Sequence, residues 1–153
     1  MGRLKAGPER DLSARYADRF AKAGPQIGLE FGRLLELPES RGGNPQTRRR
    51  EEGEALEKAL PESACLVLLD EHGSTVSSEH FAAMIGDLRD SGRRDVVLAI
   101  GGADGHGETL QARADVVLSF GRMTWPHQLV RIMASEQIYR AATILSGHPY
   151  HRS

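Results

Sequence analysis

The sequence predicts an α/β protein built on a parallel sheet covered by helices, and three observations predict it. Ala64–Leu69 (ACLVLL), Asp95–Ile100 (DVVLAI) and Asp115–Phe120 (DVVLSF) are short apolar runs without polar alternation, the pattern of strands buried on both faces. Each runs into a loop, at Asp70–Gly73, Gly101–Gly107 and Gly121–His127. A helical segment follows each loop, and strand–loop–helix repeated three times in succession is the pattern of a parallel sheet. Ligands of such sheets sit outside the carboxyl ends of the strands. The three loops are therefore expected to crowd one place.

In chain order, Pro8–Ala23 reads as a helix, with Pro8 suited to its first turn and Leu12, Tyr16 and Phe20 repeating on one face. Gly24-Pro25 ends it. Phe31–Leu37 is apolar enough for a strand, and Pro38–Pro45 (PESRGGNP) is a loop. A second helix runs from Pro45 or Gln46 to Leu60, supported by opposite charges four apart: Arg48/Glu52, Arg50/Glu54 and Glu54/Lys58. The Arg48–Arg50 triplet could touch RNA, although its acidic neighbours favour a solvated helix face. After the first buried strand, Ser77 or Ser78 can cap a helix over Glu79–Ser91, whose Phe81, Ile85 and Leu88 face inward. Asp95–Ile100 is the second buried strand, Glu108–Arg113 a short helix and Asp115–Phe120 the third buried strand. Gln128–Leu145 is the last helix, followed by a polar tail.

A length of 153 residues fits one domain with a proper core. No apolar run approaches the roughly 20 residues that span a bilayer, and MGRLKAGPER has no apolar signal region. The only cysteine, Cys65, lies inside an apolar run and reads as a buried structural thiol. These features predict a cytoplasmic protein that avoids membranes. Net charge is −1, so overall charge gives no sign of nucleic-acid binding. The balance is uneven, however: from Arg122 to the end, Arg122, Arg131, Arg140 and Arg152 face Glu136 as the only acid. His127, His148 and His151 share that segment.

Candidate chemistry concentrates in the same region. GGADGHG lacks the GxGxxG order of a dinucleotide fingerprint, and its glycines mean either close approach to a ligand or only a tight turn. Trp125 in GRMTWPH could cover a ligand or cap the core. Leu129, Ile132, Met133, Ile138 and Ile144 lie at helical spacing and form core or a subunit interface, while Glu136 and Arg140 can pair four apart. HPYHR (His148–Arg152) is a poor zinc site, because its two histidines lack acid or cysteine partners; no metal is expected. Histidine, tyrosine and arginine together suit a nucleotide, through stacking, a phosphate contact and hydrogen bonds to base edges.

LAIGGADG (Leu98–Gly105), LSFGRMTWPHQLVRIMASEQIYRA (Leu118–Ala141) and GHPYHR (Gly147–Arg152) resemble the RlmH family of SPOUT-class methyltransferases. GRLKAGPER (Gly2–Arg10) and ELPESR (Glu36–Arg41) resemble it too, so the likeness covers nearly the whole chain. The resemblance implies a parallel-sheet SPOUT-type fold with a C-terminal trefoil knot over residues 64–153. It implies methylation of N3 of a pseudouridine in 23S rRNA of the assembled ribosome, with S-adenosylmethionine as donor, by a homodimer. Carried over by motif, Leu69, Gly102, Gly121, Arg122, Met123, Thr124, Trp125 and Pro126 bind the donor. His127, Arg131, Arg140, Tyr150 and Arg152 are expected on the substrate, with Glu136, His148 and His151 as candidate bases for the N3 proton. One departure is that the family's apolar strand before the GRLKAGPER-like segment is missing, which should leave neighbouring strand edges open. The competing expectation is an rRNA-binding protein of the same fold without turnover.

Overall fold

A computed structural model describes residues 1–152; Ser153, the end of the expected tail, lies outside the described residues. The chain forms two compact units. One comprises Met1–Arg3, Leu35–Thr75 and Arg94–His127; the other comprises Leu4–Leu34, Val76–Arg93 and Gln128–Ser153.

The first unit holds the predicted parallel sheet. Its strands are β1 (Cys65–Ser74), β2 (Val96–Ile100) and β3 (Val116–Leu118), in the order β2-β1-β3. Leu69 pairs with Ile100 on one side and Leu118 on the other, so the ends of β2 and β3 lie level with the same residue. Helices α2 (Pro45–Ala59) and α4 (Glu108–Arg113) belong to this unit. Leu66 and Leu68 are completely buried and pack with Ala99 and Leu110, joined by Leu56, Leu60 and Val117. Burying such a leucine is worth about 1.5–3 kcal/mol. Asp115 ties β3 to the central strand, its carboxylate accepting from Leu66 N at 2.8 Å and its own N–H donating to Leu66 O at 2.9 Å. Cys65 is buried, as expected.

Three expectations change here. Only the Cys65–Leu69 stretch of the central strand is buried at every residue; β2 and β3 are edge strands, and Val96 is 38% exposed. Strand β1 also continues through the expected Asp70–Gly73 loop, because Leu69 and Ser74 both pair with Leu118 and the residues between them bulge. Gly73 permits this closeness, since a Cβ there would stand 2.5 Å from the Leu118 carbonyl carbon. No strand forms at Phe31–Leu37. Its apolar side chains find no sheet to join, and Phe31, Leu34 and Leu35 stay exposed.

Helix α2 begins where Asn44 Oδ1 accepts from Thr47 N at 2.8 Å, satisfying one of the free N–H groups of the first turn. Of its expected charge pairs, Arg50–Glu54 forms at 2.6 Å, but Arg48 turns instead to Asp104. At the start of the chain, the Met1 ammonium donates to Ile100 O at 2.6 Å and Gly2 N to Leu37 O at 2.9 Å.

The second unit is helical: α1 (Pro8–Ala23), a 3₁₀ turn at Gly24–Ile27, α3 (Ser78–Asp90) and α5 (His127–Leu145). Ser77, one of the two expected caps, accepts from His80 N at 3.1 Å to start α3. Phe20 is buried on the predicted face of α1, with Leu12 and Tyr16 half-buried. Ser13 of α1 bonds Ser135 of α5 at 2.9 Å, and Ser78 donates to Gln137 at 2.9 Å. Helix α5 stops at Gly147, in the left-handed region at φ +67, with His148 N donating to Thr143 O at 2.9 Å and Gly147 N to Ile144 O at 3.1 Å. This is a Schellman stop, and it redirects the tail.

Candidate active site

In the first unit, the candidate donor residues stand at or beyond level strand ends. Leu69 is nearly buried, and its carbonyl accepts from His106 Nε2 at 3.2 Å. A carbonyl only accepts, so His106 must carry its proton on Nε2. The ring is 8% exposed, and burial pushes its pKa below the ordinary histidine value. Gly102 and Gly105 close a tight turn, Gly105 N donating to Gly102 O at 3.1 Å. The Glu52 carboxylate lies under this turn: a Cβ on Gly102 would meet Glu52 Oε2 at 2.7 Å. Glu52 is itself buried and accepts from Ser40 N at 2.9 Å.

Arg48 clamps the same loop with a two-pronged ion pair, Nε to Asp104 Oδ2 at 2.6 Å and Nη2 to Oδ1 at 3.1 Å. Hydrogen bonding to Arg48 holds the Asp104 carboxyl below its usual range. Beyond β3, the Ser119 hydroxyl donates to Gly121 O at 2.9 Å and accepts from Gly121 N at 3.1 Å. Gly121 lies at φ +116. Arg122, Met123, Thr124, Trp125 and Pro126 follow as an exposed run, Met123 at 72% and Trp125 at 40%. His127 is half-buried.

In the second unit, the tail is docked onto α5 through one carboxylate. Glu136 accepts from Arg140 through both Nε, at 2.9 Å, and Nη2. It also accepts from Gln137 Nε2 at 2.9 Å and from the Tyr150 hydroxyl at 3.0 Å. Arg140 lies over the Tyr150 ring at 5.0 Å. Burial, helped by hydrogen bonds to Tyr16 and Glu136, pushes the Tyr150 phenol up.

His151 bridges Arg140, at 3.3 Å from Nδ1, and Glu79, at 2.8 Å from Nε2. Arginine only donates, so Nδ1 accepts and Nε2 carries the proton toward Glu79. His148 Nδ1 likewise accepts, from Tyr150 N at 3.1 Å. Glu136, Arg140, Tyr150 and His151 thus come together. His148 and Arg152 stay exposed, and Arg131 is buried at 8%.

The family described as "Predicted SPOUT methyltransferase" matches residues 1–151. The chain is 64% identical to the ribosomal RNA large subunit methyltransferase H of Rhizobium meliloti (strain 1021), over 100% of this chain and 96% of that protein. The chain belongs to the RlmH family of SPOUT methyltransferases. Proteins of the same name from Sinorhizobium fredii and Agrobacterium fabrum are 63% and 61% identical, covering 96% and 95% of their lengths.

Several of the partners in this RlmH family member carry no local signal in the sequence. His106 and Asp104 lie inside GGADGHG, where the glycines dominate the pattern. Arg48 and Glu52 stand four apart as a pair would, and α2 gives no local signal that both turn to the 101–107 loop. The same holds for Glu79, Tyr16 and Tyr139. Glu79 lies 72 residues from His151, and Tyr16 shows only the helical spacing of a core face.

Proposed function

We propose that this chain transfers the methyl group of S-adenosylmethionine to N3 of a pseudouridine in the 23S rRNA of the assembled ribosome. The observation that carries the proposal is 64% identity, end to end, with a protein named for methylating large-subunit ribosomal RNA. S-adenosylmethionine would bring an electrophilic methyl group on a sulfonium. The donor residues are Leu69, Gly102 and Gly121–Pro126, within a C-terminal trefoil knot. Their fit is chemical: the glycine turns offer backbone donors and acceptors, and Met123 and Trp125 offer exposed apolar surface.

In-line attack by N3 leaves this chain the work of positioning the base and removing its proton. Arg140, Tyr150 and Arg152 hold the base and its phosphates, with His127 and Arg131 in support. The proton goes to Glu136, His148 or His151. Each already accepts a hydrogen bond, so the base that takes it exchanges a partner when RNA binds. The enzyme acts as a cytoplasmic homodimer; Leu129, 40% exposed on α5, is the kind of apolar surface such pairing would cover. No helix among the described residues is long and apolar enough to cross a membrane.

The test is transfer of labelled methyl from S-adenosylmethionine to ribosomes lacking the modification, with the product base identified. Label at N3 of a 23S pseudouridine is expected. Donor binding without label would overturn the reading in favour of RNA binding alone.

A further inference from the structure

Three tyrosines form a ladder that no resemblance assigned. Tyr150 of the tail packs at a tilt against Tyr139 of α5, 4.8 Å between ring centroids, and Tyr139 meets Tyr16 of α1 at 6.3 Å. Arg19, one helical turn beyond Tyr16, lies over the end ring and the middle ring, 5.6 Å from Tyr16 and 5.8 Å from Tyr139. A guanidinium held on two aromatic faces has already lost much of its conformational freedom, yet its charge stays available to a ligand.

The charges around it point to an anion. Without RNA, Arg140 is paired with Glu136, and Asp18, beside Arg19 in sequence, is paired with Lys22 at 2.8 Å. Arg19 is exposed and makes no ion pair with an acidic side chain among the described residues. The ladder thus ends in an ordered, unneutralised cation, joined through two rings to the tail that binds the target base.

We propose that Arg19 is an RNA-contacting residue, binding a backbone phosphate beside the target nucleotide, with Tyr16 and Tyr139 as the platform that positions it. The inference rests on the reading of the tail as the base-binding site. A planar guanidinium suits phosphate, which takes two parallel N–H bonds from it. A phosphate contact sets register and carries no base preference.

The experiment measures binding and methylation of large ribosomal subunits lacking the modification, from about 50 to 200 mM monovalent salt at fixed magnesium. Arg19→Ala should raise KM roughly fivefold to tenfold with kcat nearly unchanged, and should lower the slope of log affinity against log salt by about 0.7–0.9, one phosphate's share. Arg19→Lys should restore most of the slope, because the charge returns without the fork. Donor affinity should stay the same in both variants. An unchanged salt slope in Arg19→Ala, or a loss of donor affinity along with RNA binding, would overturn the proposal.

Arg152→Ala, measured in parallel, separates the two levels. If it weakens RNA binding while Arg19→Ala does not, the Arg19 assignment alone fails. If neither weakens it, the reading of the tail as an RNA site fails, and this inference with it.

Discussion

Tyr150 works through two separable features, a hydroxyl on Glu136 and a ring between Tyr139 and Arg140. Tyr150→Phe keeps the ring and removes the bond to a carboxylate, a class of bond worth about 1.5–3 kcal/mol. Methyl transfer in a single turnover should slow roughly tenfold or more, with donor affinity unchanged. His106 makes a second residue-scale case, in stability. Its buried ring binds a proton less readily than the same side chain in the unfolded chain, whose pKa is near 6.5. Below that pH the unfolded state takes up the extra proton, so stability is complete above about 6.5 and falls as pH drops through it. His106→Gln can still donate to Leu69 O but cannot titrate. Denaturant unfolding between pH 7.5 and about 5 should show a shallower loss in the variant than in the parent.

At the scale of elements, β1 shows what the chain declares locally and what it does not. Its apolar half, Cys65–Leu69, was legible because five successive buried residues leave a run with no polar alternation. The extension to Ser74 was not, since DEHG is turn-like by composition and becomes strand only through pairing with Leu118. Gly73→Ala should therefore cost far more than a loop glycine would. With a Cβ 2.5 Å from a backbone carbon, overpacking of about 3 kcal/mol is expected, or roughly 6–12 °C in Tm for a chain of this size. A melting temperature within 2 °C of the parent would show that Gly73 is only a turn residue. The helices were legible almost to the residue, because caps and prolines are local: α1 runs Pro8–Ala23 as read, and α4 Glu108–Arg113. Phe31–Leu37 misled for the converse reason. Strand composition there is real, but a strand exists only where a neighbour accepts its hydrogen bonds.

For the whole molecule, the tail is the part whose role and stability can be told apart. Tyr150 and His151 are held by side chains on α3 and α5, while the sheet and its glycine loops belong to the other unit. Deleting Tyr150–Ser153 should abolish methyl transfer and leave donor affinity, measured by calorimetry, nearly intact. Loss of both would assign the tail to folding. The strand-end loops and the tail were legible from motif and composition, because they carry dense, specific residue patterns. The partners that hold them were not. Arg48–Asp104 and Ser13–Ser135 join residues 56 and 122 positions apart, and no local pattern encodes such a meeting.

The strand order β2-β1-β3 has one more effect, felt while the protein is being made. The central strand is the first of the three to be synthesised, and both neighbours lie downstream, ending at Ile100 and Leu118. From Ser74 to Leu118 is 118 − 74 = 44 residues, so at about 5–20 residues per second β1 waits roughly 2–9 s before its second partner exists. Until Ile100 is made, 100 − 74 = 26 residues on, its five most apolar residues have two unsatisfied edges, and from then until Leu118 they have one. A nascent chain of this family member is thus most in need of a chaperone in mid-translation, before the ribosome making it has released the residues that close the sheet.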